Sequence, residues 1–103
     1  MVQFQNSVLN YFDTLIFVIF EDEYFGFVES SEQYINRIVD FIHSNIDSFP
    51  SKKTPIQLQK FGRNYIFYKI NPRTTWYIFF EKDNNDYFVT HLMNNHCEDA
   101  NYL

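Results

Sequence analysis

The sequence predicts a single α+β domain over residues 1–103, with an N-terminal pair of helices packed on an antiparallel sheet of three or four strands. Apolar residues recur at helical spacing in the first half of the chain, and aromatic-rich runs alternate at strand spacing in the second half. The composition, 46% hydrophobic with two glycines and three prolines, is typical of a chain that buries one core.

The first helix is predicted after a short strand-like alternation at residues 2–5, with Asn6 or Ser7 as its cap. Apolar residues then recur at i, i+4, i+7, i+8 and i+11, which predicts one apolar helix face. These residues are Val8, Phe12, Leu15, Ile16 and Ile19. The run LIFVIF suits a buried strand equally well by propensity, but it continues the same stripe, so helix is favoured. Gly26, after an acidic cluster, is predicted to end the element.

The second helix is marked more clearly. Ser30 and Gln33 form a capping-box pattern, and Pro50 lies just beyond the expected end. The apolar stripe consists of Ile35, Ile38, Ile42 and Ile46. Residues 51–63, which are polar and basic, are predicted to form an ordered loop anchored by Leu58 and Phe61.

Three strands follow in the aromatic second half. The connections are an Asn-Pro turn and the tetrad DNND, both of which are typical of turns between strands. The predicted strands are residues 65–70, 74–81 and 87–93. On simple alternation, His91 shares a face with Tyr87, Val89 and Met93. The N-terminal alternation provides an optional fourth strand at an edge.

Charge is distributed in blocks along the chain. The formal net charge is −5, but residues 1–48 carry one basic residue against eight acids (net −7), and residues 49–82 carry seven basic residues against one acid (net +6). The remaining residues carry four acids. Two interpretations stay open: two solvated faces of an ordinary domain, or a basic surface that binds an anion.

The cysteine content and the length of the apolar runs indicate the compartment of the protein and bear on metal and membrane binding. The single cysteine, Cys97, excludes a disulfide framework and favours a reducing compartment. The spacing of His91, His96 and Cys97 lacks a second ligand pair, so no metal site and no cofactor are expected. The longest apolar run, residues 15–20, is too short to span a bilayer, and no signal peptide is evident. We therefore expect a cytoplasmic protein with no membrane partner.

The order strand, helix, helix, loop and three strands resembles the RelE/ParE superfamily of bacterial type II toxin–antitoxin toxins. The resemblance covers nearly the whole chain and is strongest from Phe61 to Leu103, where FGRNYIFYKINPRTTWYIFFEK is followed by YFVTHLMNNHCEDANYL. Members of the family similarly carry an Arg that enters a central aromatic strand, then a hairpin, and then a polar tail that contains His or Arg and ends near a Tyr.

The resemblance implies that the chain is a toxin that cleaves mRNA on the ribosome without a metal. A ribose 2′-hydroxyl attacks the adjacent phosphate, which requires a base, an acid and a cation that holds the developing charge. Arg73 matches the phosphate-holding position, because its guanidinium binds phosphate oxygens bidentately and stays charged. His96, His91 and Tyr102 are the acid and base candidates.

RNA contacts are also implied by the resemblance. Trp76 or Tyr77, whichever faces outward, would stack an unpaired base. The charges that would steer RNA are Lys52, Lys53, Lys60 and Arg63. A non-functional alternative for Arg73 is a surface ion pair with Glu81 or Asp99.

Partners follow from the same resemblance. We expect a cognate antitoxin that folds on the toxin, with the ribosome and mRNA as targets. A homodimer is compatible with the aromatic content. Two alternatives remain: a non-enzymatic, ParE-like inhibitor of DNA gyrase, which the acidic net charge suits better, and a small non-toxic interaction domain.

The chain departs from the family pattern at Asn94 and Asn95, which stand where a more basic member would carry Arg or Lys.

Overall fold

The computed structural model describes residues 1–22 and 31–103, together with the side chains of residues 1–15 and 31–103. In chain order the elements are β1 (Val2–Phe4), α1 (Asn6–Asp22), α2 (Ser31–Asn45), β2 (Lys52–Lys53), the 3₁₀ helix η1 (Ile56–Phe61), β3 (Asn64–Asn71), β4 (Thr74–Asp83), β5 (Asp86–Asn94) and the 3₁₀ helix η2 (Glu98–Tyr102). The α+β prediction is confirmed. In the described parts of the chain, no helix is long and apolar enough to cross a membrane.

The sheet differs from the predicted one. It has five strands in the order β1-β5-β4-β3-β2, and β1 pairs with β5 in parallel, so the sheet is mixed rather than antiparallel. The pairing joins residues far apart in sequence: Gln5 N–H donates to the Val89 carbonyl at 2.9 Å, and Tyr87 N–H to the Met1 carbonyl at 2.8 Å. Strand β2 is only two residues long, too short to leave an alternation in the sequence.

The helices cover one face of the sheet and bury the main core there. The predicted stripe of α2 is confirmed, since all four of its isoleucines are buried. On α1, Val8, Phe12 and Leu15 are buried as predicted, whereas the Ile16 and Ile19 side chains lie outside the described residues. The predicted caps Gly26 and Ser30 also lie outside them.

The opposite face of the sheet, called here the second face, carries a smaller core under η1 and η2. Its buried members are Leu58, Tyr65, Phe79, Met93 and Ala100. The predicted loop anchors are confirmed, because Leu58 is 1% exposed and Phe61 packs on the same cluster. The helix η2, which the sequence pattern did not predict, closes this cluster through Ala100, and Leu103, the residue after η2, packs against it.

A β-bulge in β5 corrects the predicted orientation of His91. Phe79 pairs with His91 and Phe80 pairs with Val89, so Thr90 is an extra residue that breaks the alternation. Tyr87 and Val89 therefore face the helices, whereas His91 contacts Phe61 on the second face. The Thr90 hydroxyl donates to the Phe61 carbonyl, which attaches the end of η1 to the bulge.

Gly62, at the end of η1, leaves no room for a side chain. Its φ is 156°, and a Cβ would lie 2.7 Å from Thr90 Oγ1 and 3.0 Å from the Phe80 nitrogen. Because one of these neighbours is backbone, we expect Gly62→Ala to lower the free energy of unfolding by about 1–3 kcal/mol. Urea unfolding measures the loss. The exposed Gln57→Ala is the control, with an expected change within about 0.5 kcal/mol; equal midpoints for the two variants would contradict the prediction.

Candidate functional site

Two turns meet at one end of the sheet. The β3–β4 turn holds Arg73, whose N–H donates to Asn71 Oδ1 at 2.9 Å. The turn after β5 holds Asn95, whose Nδ2 donates to the Arg73 carbonyl at 3.1 Å and whose Oδ1 accepts the Thr75 N–H at 3.0 Å. The Asn95 N–H also donates to the Thr75 carbonyl at 3.0 Å. Asn95 therefore joins the two turns through its side chain and its backbone.

His96, the next residue after Asn95, contacts the residue that follows Arg73. Its Nε2 is 3.2 Å from the hydroxyl of Thr74, the residue that follows Arg73, and Thr74 is only 1% exposed. The His96 N–H donates to Asn94 Oδ1 at 2.9 Å. The structure thus brings together the two turns that carry the principal residues predicted from the sequence, Arg73 and His96. Asn94 and Asn95, which stand in place of the basic residues of the family pattern, organise the backbone of these turns.

Arg73 is exposed, and in residues 1–22 and 31–103 its guanidinium forms no ion pair. The ion pair with Glu81 that was predicted as an alternative for Arg73 is not formed, because Glu81 contacts Arg63 instead. Glu81 Oε1 lies 3.6 Å from Arg63 Nε, and Glu81 Oε2 accepts the Arg63 N–H at 3.0 Å. An exposed guanidinium without a carboxylate partner can bind two oxygens of a phosphate. The imidazole of His96, in the adjoining turn, has ring nitrogens that can donate or accept a hydrogen bond.

The other basic candidates do not join this pair. Arg63 precedes β3 and Arg73 follows it, so the eight residues of the strand separate them by roughly 25 Å at 3.2–3.4 Å per residue. Lys60 Nζ lies 5.1 Å from the Phe61 ring, at the end of η1. Lys52 and Lys53, on the short β2, pair with Tyr65 and Asn64 at the start of β3. These charges line an edge of the sheet rather than surround Arg73.

His91 belongs to the second-face core rather than to the Arg73 turn. Its ring stacks on Phe61 with centroids 4.0 Å apart and planes 13° from parallel. Burial lowers the His91 pKa, and the nearby Asp99 carboxylate partly opposes this shift. His91 therefore favours the neutral form in the folded chain and contributes to the docking of η1.

This pKa direction predicts how stability depends on pH. Because the His91 pKa is lower in the folded chain than in the unfolded chain, unfolded molecules bind the proton first as the pH falls. The His91 contribution is therefore complete above a pH of about 6.5, the unfolded pKa, and is lost as the pH falls below it. In urea unfolding at several pH values, the free energy of unfolding should fall less steeply with decreasing pH for His91→Gln than for the unaltered chain. The matched control is His43→Gln, on α2. If His43→Gln reduces the pH dependence by the same amount, the effect does not belong to His91.

The other predicted site residues occupy different environments. Tyr102, the last residue of η2, is 53% exposed. Trp76 is fully buried in the main core, where its Nε1–H donates to the Tyr34 hydroxyl at 2.9 Å. Strand alternation turns the Trp76 ring toward the helices, so of the two residues predicted to stack a base, Tyr77 is the one on the more exposed face. Its neighbour Tyr77 lies on the second face and is only partly buried.

Sequence reasoning did not assign a role to two other second-face residues, Phe67 and Lys69. The sequence does carry a signal for them, because Tyr65, Phe67 and Lys69 alternate with the core residues Ile66 and Ile70.

In the described parts of the chain, no group of three His, Cys, Asp or Glu side chains is close enough to hold a metal ion.

Comparisons with protein-family models, with curated proteins and with solved structures find no match to this chain.

Proposed function

We propose that this chain is the toxin component of a type II toxin–antitoxin system of the RelE/ParE kind, and that it cleaves mRNA on the ribosome without a metal. The observation that carries the proposal is the junction of Arg73 and His96. The two turns that carry these residues, 23 positions apart in sequence, are joined by Asn95, His96 contacts Thr74, and the Arg73 guanidinium is exposed. A cation and a proton-transfer group at one place are what phosphodiester cleavage by a neighbouring hydroxyl requires.

The chemistry assigns a role to each group. A base removes the proton from the ribose 2′-hydroxyl, the 2′-oxygen attacks the adjacent phosphorus, and the 5′-oxygen leaves and accepts a proton. Arg73 holds the phosphate oxygens as negative charge develops on them. His96, oriented by the Thr74 hydroxyl, supplies one of the two proton transfers. Tyr102 is the exposed candidate for the other.

The partners follow from this function. The toxin would act in the cytoplasm, and a cognate antitoxin would neutralise it with a segment that folds on binding. A second candidate function, inhibition of DNA gyrase through protein contacts, is supported by exposed apolar side chains. Ile56 on η1 is 80% exposed and Leu9 on α1 is 48% exposed. Such side chains are suited to a protein target, and a net charge of −5 does not oppose one.

The test is tightly repressed expression in a bacterial host that lacks any antitoxin. Growth is followed together with the incorporation of labelled amino acids, uridine and thymidine. An early loss of amino-acid incorporation supports the nuclease, whereas an early loss of thymidine incorporation supports gyrase inhibition instead. Undisturbed growth with folded protein in the cells would reject both toxin functions and leave a non-toxic interaction domain.

A further inference from the structure

A group of aromatic and basic side chains lies on the second face beyond the cover of η1 and η2. In the register of β3 and β4, Phe67 pairs with Tyr77 and Lys69 pairs with Thr75. Lys52 pairs with Tyr65 on the next strand, and its Nζ lies 5.3 Å from the centre of the Phe67 ring. These contacts make one continuous surface of Lys52, Phe67, Lys69 and Tyr77, which we call the aromatic–lysine patch.

The two aromatic rings of the patch are held in place and remain partly exposed, with the Lys52 ammonium over the Phe67 ring. Phe67 is partly buried, and Phe49 contacts it edge-on with centroids 5.3 Å apart and planes at 87°. Tyr77 is also partly buried, and it lies against Tyr65 with centroids 6.1 Å apart. Rings fixed by neighbours in this way lose little conformational entropy when a ligand stacks on them.

The charge around these rings is positive. Residues 51–80, which include β2, β3 and most of β4, contain no aspartate or glutamate. Lys52 and Lys69 are exposed, and Arg73 lies in the turn that follows the patch on β3. On the described part of this face, two carboxylates lie away from the lysines: Glu81 binds Arg63 beyond the opposite end of β3, and Asp99 of η2 lies near His91. The patch therefore combines two ring surfaces with cations and leads toward Arg73.

We propose that the aromatic–lysine patch binds single-stranded RNA, with unpaired bases stacked on Phe67 and Tyr77 and phosphates held by Lys52 and Lys69. The inference rests on the proposed function, since the patch would bind the part of the mRNA strand next to the phosphate that Arg73 holds. RNA is favoured over an acidic protein segment because bases have flat π faces that match partly exposed rings, whereas a carboxylate chain needs only the cations. A duplex hides its bases from such a surface.

The experiment measures binding without cleavage. A fluorescent single-stranded 2′-O-methyl oligoribonucleotide, which has no 2′-hydroxyl to attack with, is titrated with the full chain, and anisotropy gives Kd at several salt concentrations. Phe67→Leu and Tyr77→Leu are each expected to weaken binding roughly five- to a hundredfold, the range for loss of one base stack. Lys52→Gln and Lys69→Gln are each expected to lower the slope of log Kd against log salt by roughly 0.7.

Matched controls lie elsewhere on the sheet. Phe88→Leu changes an aromatic residue on β5 that is 37% exposed, and Lys82→Gln removes a lysine near the β4–β5 turn. Neither should weaken binding by more than about twofold. Far-ultraviolet circular dichroism and thermal melting confirm that each variant is folded. Because Lys52 and Lys69 are exposed, their variants keep the test decisive even where an aromatic variant is destabilised.

Each outcome decides the proposal. Weaker binding in the patch variants alone, with duplex RNA bound less tightly than single strands, supports it. Equal losses in the Phe88 and Lys82 variants, or no binding by the unaltered chain at low salt, would overturn it. An acidic peptide that competes with RNA and depends on the lysines but not on the rings would show a protein-binding surface instead. RNA binding by the patch in a chain that leaves growth undisturbed would uphold this inference and reject the toxin function.

Discussion

Replacing Arg73 by alanine is expected to abolish mRNA cleavage on ribosomes, with a loss of at least a hundredfold, the order of magnitude for removing one group that stabilises a developing oxyanion. The reason is that the exposed guanidinium, in the turn that His96 contacts through Thr74, would hold the phosphate through two parallel hydrogen bonds. Primer extension on an mRNA bound to purified ribosomes measures the cleavage. Arg73→Lys should retain intermediate activity, because an ammonium keeps the charge but not the planar fork.

Stability separates this catalytic loss from unfolding. Arg73 is exposed and its side chain supports no other described element, so Arg73→Ala should change the free energy of unfolding by no more than about 0.5 kcal/mol. Lys82→Ala is the control, since it removes an exposed cation near the opposite end of β4. If Lys82→Ala slows cleavage as much as Arg73→Ala does, the effect belongs to overall charge. If Arg73→Ala cleaves normally, the proposed nuclease site is refuted.

Replacing Trp76 by alanine is expected to cause the largest loss of stability, about 3–5 kcal/mol, the range for removing a fully buried large aromatic residue. Trp76 packs edge-on against Tyr11 and Tyr34, with ring centroids 6.3 and 6.5 Å away. Its indole N–H is bound to the Tyr34 hydroxyl inside the core. Tyr34→Phe removes that acceptor from a buried donor and should cost about 1–3 kcal/mol.

Urea unfolding followed by circular dichroism measures both losses. The control is Phe88→Ala, because Phe88 is 37% exposed, and we expect it to cost less than either core change. A small effect of Trp76→Ala on the unfolding midpoint, together with a large effect on RNA binding, would contradict the buried placement. That result would instead support base stacking by Trp76, the role predicted from the sequence.

The local pattern was sufficient where each element buries one regular face. The isoleucines of α2 recur at helical spacing and are all buried, and the turns at Pro72 and Asn84 separate the predicted strands. Asn84 adopts a φ of 55°, a left-handed conformation that asparagine tolerates better than most residues. These features depend on residues close in sequence, so periodicity and turn chemistry predict them.

The pattern failed where distant residues decide the geometry. One extra residue in β5, Thr90, turns the later residues of the strand to the face opposite to the one that simple alternation predicts. The Thr90 hydroxyl donates to the carbonyl of Phe61, which belongs to another element. The parallel pairing of β1 with β5 likewise depends on backbone groups more than 80 residues apart. Neither feature leaves a local signal, because a bulge and a pairing partner are both chosen by the packing of the whole sheet.

Local pattern predicts the α+β class, the isoleucine stripe and the three long strands, and the resemblance of the C-terminal part of the chain selects Arg73 and His96 as candidates. Contacts between distant elements decide that Asn95 joins the turns of these two residues, and that Trp76 faces the main core while Tyr77 lies on the second face. Composition and spacing record which side chains a local element can bury. Which side chains meet is decided by strand register, and register depends on contacts between elements that are distant in the chain.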